Sequence, residues 1–406
     1  MSVDVLVITA LPLEYDAVRE VLGSSGWVNR GVGGSEPYAT TSSGGLSVAL
    51  ARPPAMAGRS TSPIATTLTN QLQPACLAMA GVCAGKPGAA APGDVIVAAP
   101  AYQWDEGKWE DDVFLPDNHQ FPLDSLWLRA VQEFDPTGLP SHGTATDAEA
   151  KVWFLERLHK GESPRKHPAR PRYFPNRTWQ HRLEQWESDG LIAWDGGELV
   201  LTTAGQTFVE QKLYYAADGP DHLPFQVMAG PMASGNAVMK DETIWHRLEA
   251  SQRRILAIEM EGATVATVAA ERRVPHWLVA KGVMDHANMG KDDRFKSFAA
   301  RASAEVLFAL LGTLLKPTAA TPPPPPRTGS VPGPIKVQVV RRLTYDWQDL
   351  ADWVGIAVHE IRRFRAGDEG YEVWAWLENR NRLAELPDAL AGIGRTDLAD
   401  LLRPHL

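Results

Sequence analysis

The chain has 406 residues, 44% hydrophobic and 22% charged, with a formal charge of -9; that length favours two or three domains, and the acidic balance gives no general attraction to phosphate backbones or anionic membranes. Its two cysteines, Cys76 and Cys83, lie in apolar or Gly-rich sequence, which argues against a disulfide scaffold or a cysteine-based zinc site. The N-terminus lacks a signal pattern and no run reaches the roughly 18 apolar residues of a membrane span, so the expectation is a cytoplasmic protein with no membrane contact.

The first apolar run, 3–9, predicts a strand leading into a helix over 14–22, and a second run at 46–51 precedes a helix near 63–71. Runs at 76–80 and 94–99 follow, and 225–229, 255–259 and 276–283 supply further strands. Strands alternating with helices predict an α/β body with a largely parallel, doubly wound or strongly curved sheet covered by helices. The alternation lapses over 135–224, where a helix at 148–158, a basic Pro-rich stretch at 164–177, a helix at 178–188 and a hairpin-like stretch at 191–201 read as a winged-helix-like insert. Its Arg165, Lys166, His167, Arg170, Arg172 and Arg177 suit an intramolecular or interface role better than nucleic acid, since the chain is acidic overall. Residues 317–336, with five prolines from Pro322 to Pro326, read as an extended linker. Residues 337–406 show apolar residues at helical spacing broken at Gly355, Gly367, Gly370, Pro387 and Gly394, which predicts a small all-α bundle.

Ligands of open α/β sheets collect beyond the carboxyl ends of the strands. Five segments fall there: Glu14; a turn from Gly81 through Val82 and Cys83 to Gly85; Ser234 to Asn236; Met260-Glu261-Gly262; and Asp285. A lone carboxylate at a strand end is usually a helix cap or a solvated loop residue, so the convergence of three is what argues for chemistry. Glu259 shares a strand face with Glu261 and reads as a support of the pocket; Ser234 and Asn236 either line a base pocket or make a turn. The Gly81 to Gly85 segment is too short for a dinucleotide fingerprint, Cys83 reads as a small buried hydrophobe, His286 as a pocket or structural residue, and no metal-ligand spacing is visible, so neither cofactor nor metal is expected.

These pieces, with residues 8–14, Met56-Ala57-Gly58, 80–85, Pro92-Gly93-Asp94, 233–237, 257–262 and Gly282 to Asp285, resemble the purine nucleoside phosphorylase and nucleosidase superfamily over 1–134 and 225–316, the group that includes methylthioadenosine/S-adenosylhomocysteine and AMP nucleosidases. The resemblance implies that Glu261 binds the ribose hydroxyls with Met260 under the sugar, that Asp285 protonates the departing purine, and that Glu14 activates water. Bacterial phosphorylases of the superfamily carry an arginine and a serine where this chain has Met79 and Val82, which implies hydrolysis, although Arg59 could still reach an anion. The 282–288 and 102–108 segments resemble nucleosidase-like domains of microbial conflict proteins, implying an adenine nucleotide of the ATP or AMP class, with Arg59, Lys86, Lys108 and Lys291 as cations for its phosphates. The tail resembles a death-like or effector-associated adaptor, implying a protein partner with a matching domain, and family members are commonly oligomers. A phosphate-dependent phosphorylase and a non-catalytic nucleotide-sensing adaptor are the competing expectations.

Overall fold

The computed structural model describes residues 2–31, 36–111, 113–117, 119–288, 293–315, 331–361, 364–365, 367–380 and 382–405. Lys291 and all but the last six residues of the 317–336 stretch lie outside the described residues. Two units are present, Met1–Thr318 and Ala319–Leu406.

In the first unit the strands are β1 (Val5–Ile8), β2 (Val28–Arg30), β3 (Tyr38–Ser43), β4 (Leu46–Ala51), β5 (Cys76–Gly85), β6 (Val95–Gln103), β7 (Gly107–Glu110), β8 (Val113–Pro116), β9 (Gln120–Phe121), β10 (Ile192–Asp195), β11 (Glu198–Leu201), β12 (Val227–Ser234), β13 (Ala257–Glu259) and β14 (His276–Asp285). The helices are α1 (Pro12–Val21), α2 (Gly58–Leu72), α3 (Ser125–Gln132), α4 (Asp147–His159), α5 (Arg170–Tyr173), α6 (Trp179–Ser188), α7 (Thr203–Tyr215), α8 (Thr243–Ser251), α9 (Gly262–Glu271) and α10 (Lys296–Leu314). The main sheet has the order β13-β12-β6-β14-β5-β1-β4-β3-β2, and β13 also pairs with β5. That extra pairing curls one half of the sheet back on itself, the strongly curved alternative of the sequence reading.

β1 is buried along its whole length and pairs in parallel with β4 on one side and β5 on the other. A strand so enclosed has no solvent face, which is why its sequence is a continuous aliphatic run and not an alternating one. β5 is longer than 76–80: the expected turn at Gly81 to Gly85 is instead strand, because β14 pairs along it from Cys76 to Ala84 and β13 pairs with Ala84 and Gly85. β12 likewise runs on to Ser234 beside β6 and β13. α10 is apolar enough in composition to resemble a membrane span, but most of it is buried, and Ala299 and Ser303 lie over Gly282 of β14 and Gly81 of β5.

Within 135–224, α4, α6 and α7 and the β10–β11 hairpin enclose their own core of Trp153, Phe154, Phe174, Trp186, Ile192 and Val209. Two part-buried ionic contacts tie this core to the rest of the unit: Arg172 donates to both carboxylate oxygens of Asp94, just before β6, and Arg294, just before α10, donates to Glu156 of α4 at 2.6 Å. Basic residues from the Pro-rich stretch thus serve the fold, as Arg172 does here and Arg170 does over the Trp179 ring at 5.6 Å. His167 packs edge-on against Trp153, and burial, helped by Arg157 and His286, pushes its imidazole down to about 3. An unfolded histidine takes up a proton below about 6.5 while this one stays neutral, so the folded state loses stability progressively as pH drops from there. Thermal melts at pH 7 and pH 5 should show a smaller drop for His167→Asn than for wild type; equal drops would count against this role.

The second unit consists of α11 (Gly333–Leu343), α12 (Trp347–Trp353), α13 (Val358–Ile361), α14 (Glu369–Asn379), α15 (Leu386–Gly392) and α16 (Thr396–Leu402) around Leu350, Val373, Leu377, Leu390 and Leu398. Its first helix begins at Gly333, inside the stretch expected to be linker, because Pro334 sits in the first helical turn, where a missing N–H costs nothing.

Candidate active site

Glu14 enters the site through the start of α1. The N-cap, Leu11, has no side-chain oxygen, so Glu14 reaches back: its Oε2 accepts from the Ala10 and Leu11 N–H groups at 2.8 and 2.9 Å. Its Oε1 accepts from Val82 N on β5 at 2.8 Å. The carboxylate is therefore both a helix cap and a bridge between two strands. Gly81 makes room for it, since a Cβ there would stand 2.3 Å from Oε1.

Glu261 and Glu259 flank Met260 where β13 gives way to α9. Glu259 accepts from the Gly262 N–H at 2.8 Å, from the Glu261 N–H at 2.9 Å and from the Ser234 hydroxyl, so it caps α9 as well as facing the site. Glu261 accepts at 2.7 Å from the N–H of Ala57, which is held at φ 77°, a value strained for a residue with a side chain. Between the two carboxylates lies Lys281 of β14, 1% exposed, with Nζ 3.2 Å from Glu259 and 3.4 Å from Glu261. Burial pushes Glu261 up to about 7, with Lys281 opposing and Glu259 reinforcing the shift. Burial also works against the Lys281 ammonium, but the neighbouring carboxylates outweigh it and hold its pKa above the ordinary lysine value.

Asp285 ends β14 just past a shift in register against β5, and its Oδ1 accepts from the Ala287 N–H at 2.9 Å. The next residue fixes this turn: His286 Nδ1 lies 2.7 Å from the Gly85 carbonyl, and the His286 carbonyl accepts from Trp245 of α8 at 3.0 Å.

Glu14, Val82, Glu259, Met260, Glu261 and Asp285 all line one cavity of about 230 Å³. Among the described residues its remaining wall is apolar, with Leu11, Met56, Ala237, Val238, Met239 and Met284 among them, except for Lys296 at the start of α10. Ser234 is fully buried behind the wall, bonded to Glu259 and to the Ala263 N–H. Asn236 is turned to Asp105, at 2.8 Å from its N–H and 3.1 Å from its side chain, so both residues form the turn that presents Ala237 to Met239. Cys83 touches the cavity, but burial pushes its thiol well above the usual range, which leaves it unsuited to act as a thiolate.

Of the expected phosphate cations, Lys291 lies outside the described residues and the other three stand elsewhere. Lys86 is paired with Glu249, and Lys108 of the β7–β8 hairpin is exposed and 3.1 Å from Glu110. Arg59 is exposed on the first turn of α2 and is not part of the cavity wall. A larger cavity, about 590 Å³, lies between the insert and the Arg294-Phe295 turn, but it holds none of Glu14, Glu261 and Asp285.

A curled α/β sheet with carboxylates gathered at one rim defines a nucleoside-phosphorylase-like fold. Residues 4–316 match the Phosphorylase superfamily, to which the chain therefore belongs, and residues 333–405 match Bacterial Death-like domain 3. The uncharacterized protein y4jS of Sinorhizobium fredii is 32% identical over 110 residues, a match that spans 26% of this chain and 26% of that relative. Among solved structures, the 5′-methylthioadenosine/S-adenosylhomocysteine nucleosidase of Neisseria meningitidis is 14% identical with a TM-score of 0.47, over 76% of this chain and 99% of that one. The futalosine hydrolase of Helicobacter pylori is 15% identical with a TM-score of 0.47, over 76% and 97%. The MTA/SAH nucleosidase of Streptococcus pneumoniae in complex with 8-aminoadenine is 17% identical with a TM-score of 0.48, over 77% and 100%.

Proposed function

We propose that the chain is a nucleosidase that uses water to cleave the N-glycosidic bond of an adenine nucleotide of the ATP or AMP class. The observation that carries this reading is that Glu14, Glu261 and Asp285, from three distant segments, line a single cavity. In the reaction, Glu261 accepts hydrogen bonds from the ribose hydroxyls while Met260 packs under the sugar. Asp285 gives a proton to N7 of the purine as the C1′–N9 bond breaks, and water oriented by Glu14 adds its oxygen to C1′ and yields its proton to that carboxylate. Solvent then restores both acids, leaving adenine and a ribose phosphate.

Water is favoured over phosphate by charge. At the nucleophile position the Glu14 carboxylate takes up the Ala10, Leu11 and Val82 N–H groups, which leaves those donors unavailable to a phosphate and sets a negative charge where the dianion would have to attack. The death-like unit supports a second element of the proposal: an effector in a microbial defence or signalling system, recruited by a partner with a matching domain and acting as an oligomer. Loss of partner binding on removal of residues 331–406, with base release retained, is the expected result for that element.

The test of the activity is chromatography of free adenine after incubation with ATP, AMP, adenosine and methylthioadenosine, with and without phosphate. Adenine from the nucleotides without phosphate is expected. Ribose 1-phosphate formed only with phosphate would establish a phosphorylase, and ligand binding with no base released would establish a sensor. Gly81→Ala should lower turnover by about 10²-fold, because the added methyl must displace the Glu14 carboxylate that orients water. Unchanged turnover in a folded Gly81→Ala protein would remove Glu14 from the mechanism.

A further inference from the structure

We infer that Lys296 is the residue that selects for a 5′-phosphate on the substrate, an inference that rests on the nucleotide reading above. Among the described residues it is the one cation of the cavity wall, and it has no ion-pair or hydrogen-bond partner there. Lysines elsewhere around the site are committed: Lys281 to Glu259 and Glu261, Lys86 to Glu249.

Its position follows from how α10 lies on the sheet. Ala299 packs over Gly282, so closely that a Cβ on the glycine would stand 2.1 Å from the Ala299 carbonyl oxygen, and Ser303 reaches back to the Gly81 N–H at 3.1 Å. The helix therefore runs against the direction of β14, and its first residue stands about one turn beyond Gly282, at the rim where β14 delivers Asp285. Phe295 before it makes no side-chain cap, and the first turn of α10 contains no acid. A 19-residue helix thus turns its positive end and a lysine toward the same wall.

Substrate chemistry supplies the rest. Adenine and ribose are neutral in the ground state, and the groups that handle them are all acids: Asp285 at the base, Glu261 at the hydroxyls, Glu14 at the water. A bare nucleoside therefore gives an ammonium nothing to bind. C1′ is the reacting carbon and the 2′ and 3′ hydroxyls belong to Glu261, so the ribose position left for an anionic substituent is C5′. A phosphate there gains a charge-assisted hydrogen bond from Lys296. The competing role for Lys296 is that of a diffuse counter-charge to the four acids, which would aid every substrate alike.

The experiment compares wild type, Lys296→Met and Lys296→Arg in the full-length chain, reading kcat/KM for AMP and adenosine and, independently of turnover, their dissociation constants by calorimetry. A lost charge-assisted contact corresponds to roughly 10- to 100-fold. Lys296→Met should lower the AMP-to-adenosine preference by that factor in both readouts, and Lys296→Arg should restore part of it. If wild type cleaves AMP but Lys296→Met leaves the preference unchanged, or AMP and adenosine weaken equally, this inference falls and the nucleotide reading stands. If wild type binds and cleaves adenosine but not AMP or ATP, or binds neither, both fall.

Discussion

Asp285→Asn should lower adenine release by about 10²–10⁴-fold, the span a positioned general acid typically contributes. The substitution isolates proton donation. Asparagine keeps an oxygen where Oδ1 now accepts the Ala287 N–H at 2.9 Å, and the turn is held from both sides by the contacts of His286 to Gly85 and Trp245. Geometry is thus retained while the proton is lost, and substrate affinity should change far less than turnover. A variant that still turns over within a few-fold of wild type would show that the purine leaves without help from this side chain.

Lys281→Met should cost about 3–5 kcal/mol of folding stability, the range found when one partner of a buried ion pair is removed. The ammonium is 1% exposed and stands between two carboxylates that are themselves nearly inaccessible. Without it, Glu259 and Glu261 lose the ammonium they share, and the cheapest remedy is for one to hold a proton. Such a carboxylate has a folded pKa above its unfolded value, so the unfolded state releases the proton first as pH rises. The deficit should therefore grow from pH 5 to pH 8. Urea midpoints across that range would measure it, and adding Glu259→Gln to Lys281→Met should recover part of the loss. A pH-independent deficit would point to lost packing in place of unpaired charge.

Much of this architecture is legible in the sequence. The run at 46–51 is the strand Leu46–Ala51, and Glu14, Glu261 and Asp285 announce themselves because each follows an apolar run closely. Proximity along the chain is visible in one dimension; proximity across the sheet is not. Gly81 reads as part of a turn until the pairing of β5 with β14 and β13 shows that strand continues there and that the missing side chain seats Glu14. Lys86 and Lys108 look available until α8 and the β7–β8 hairpin bring Glu249 and Glu110 to them. Lys281 did leave a signal: a lysine inside an otherwise aliphatic strand is buried only with partners, and two glutamates a strand away were the natural ones. Lys296 left none, because its place depends on how α10 is laid over the sheet.

The chain leaves the sheet layer at Ser141 to Gly143 and returns at Leu223, and these two points are hydrogen-bonded to each other: Leu223 N–H donates to Ser141 at 3.1 Å and Gly143 N–H to Leu223 at 3.1 Å. Entry and exit thus form a closed neck, and everything from α4 to α7 hangs from it as a cassette. A short turn across that neck would satisfy the same strand ends, but a chain without the cassette would also have to replace Arg172 as the partner of the fully buried Asp94.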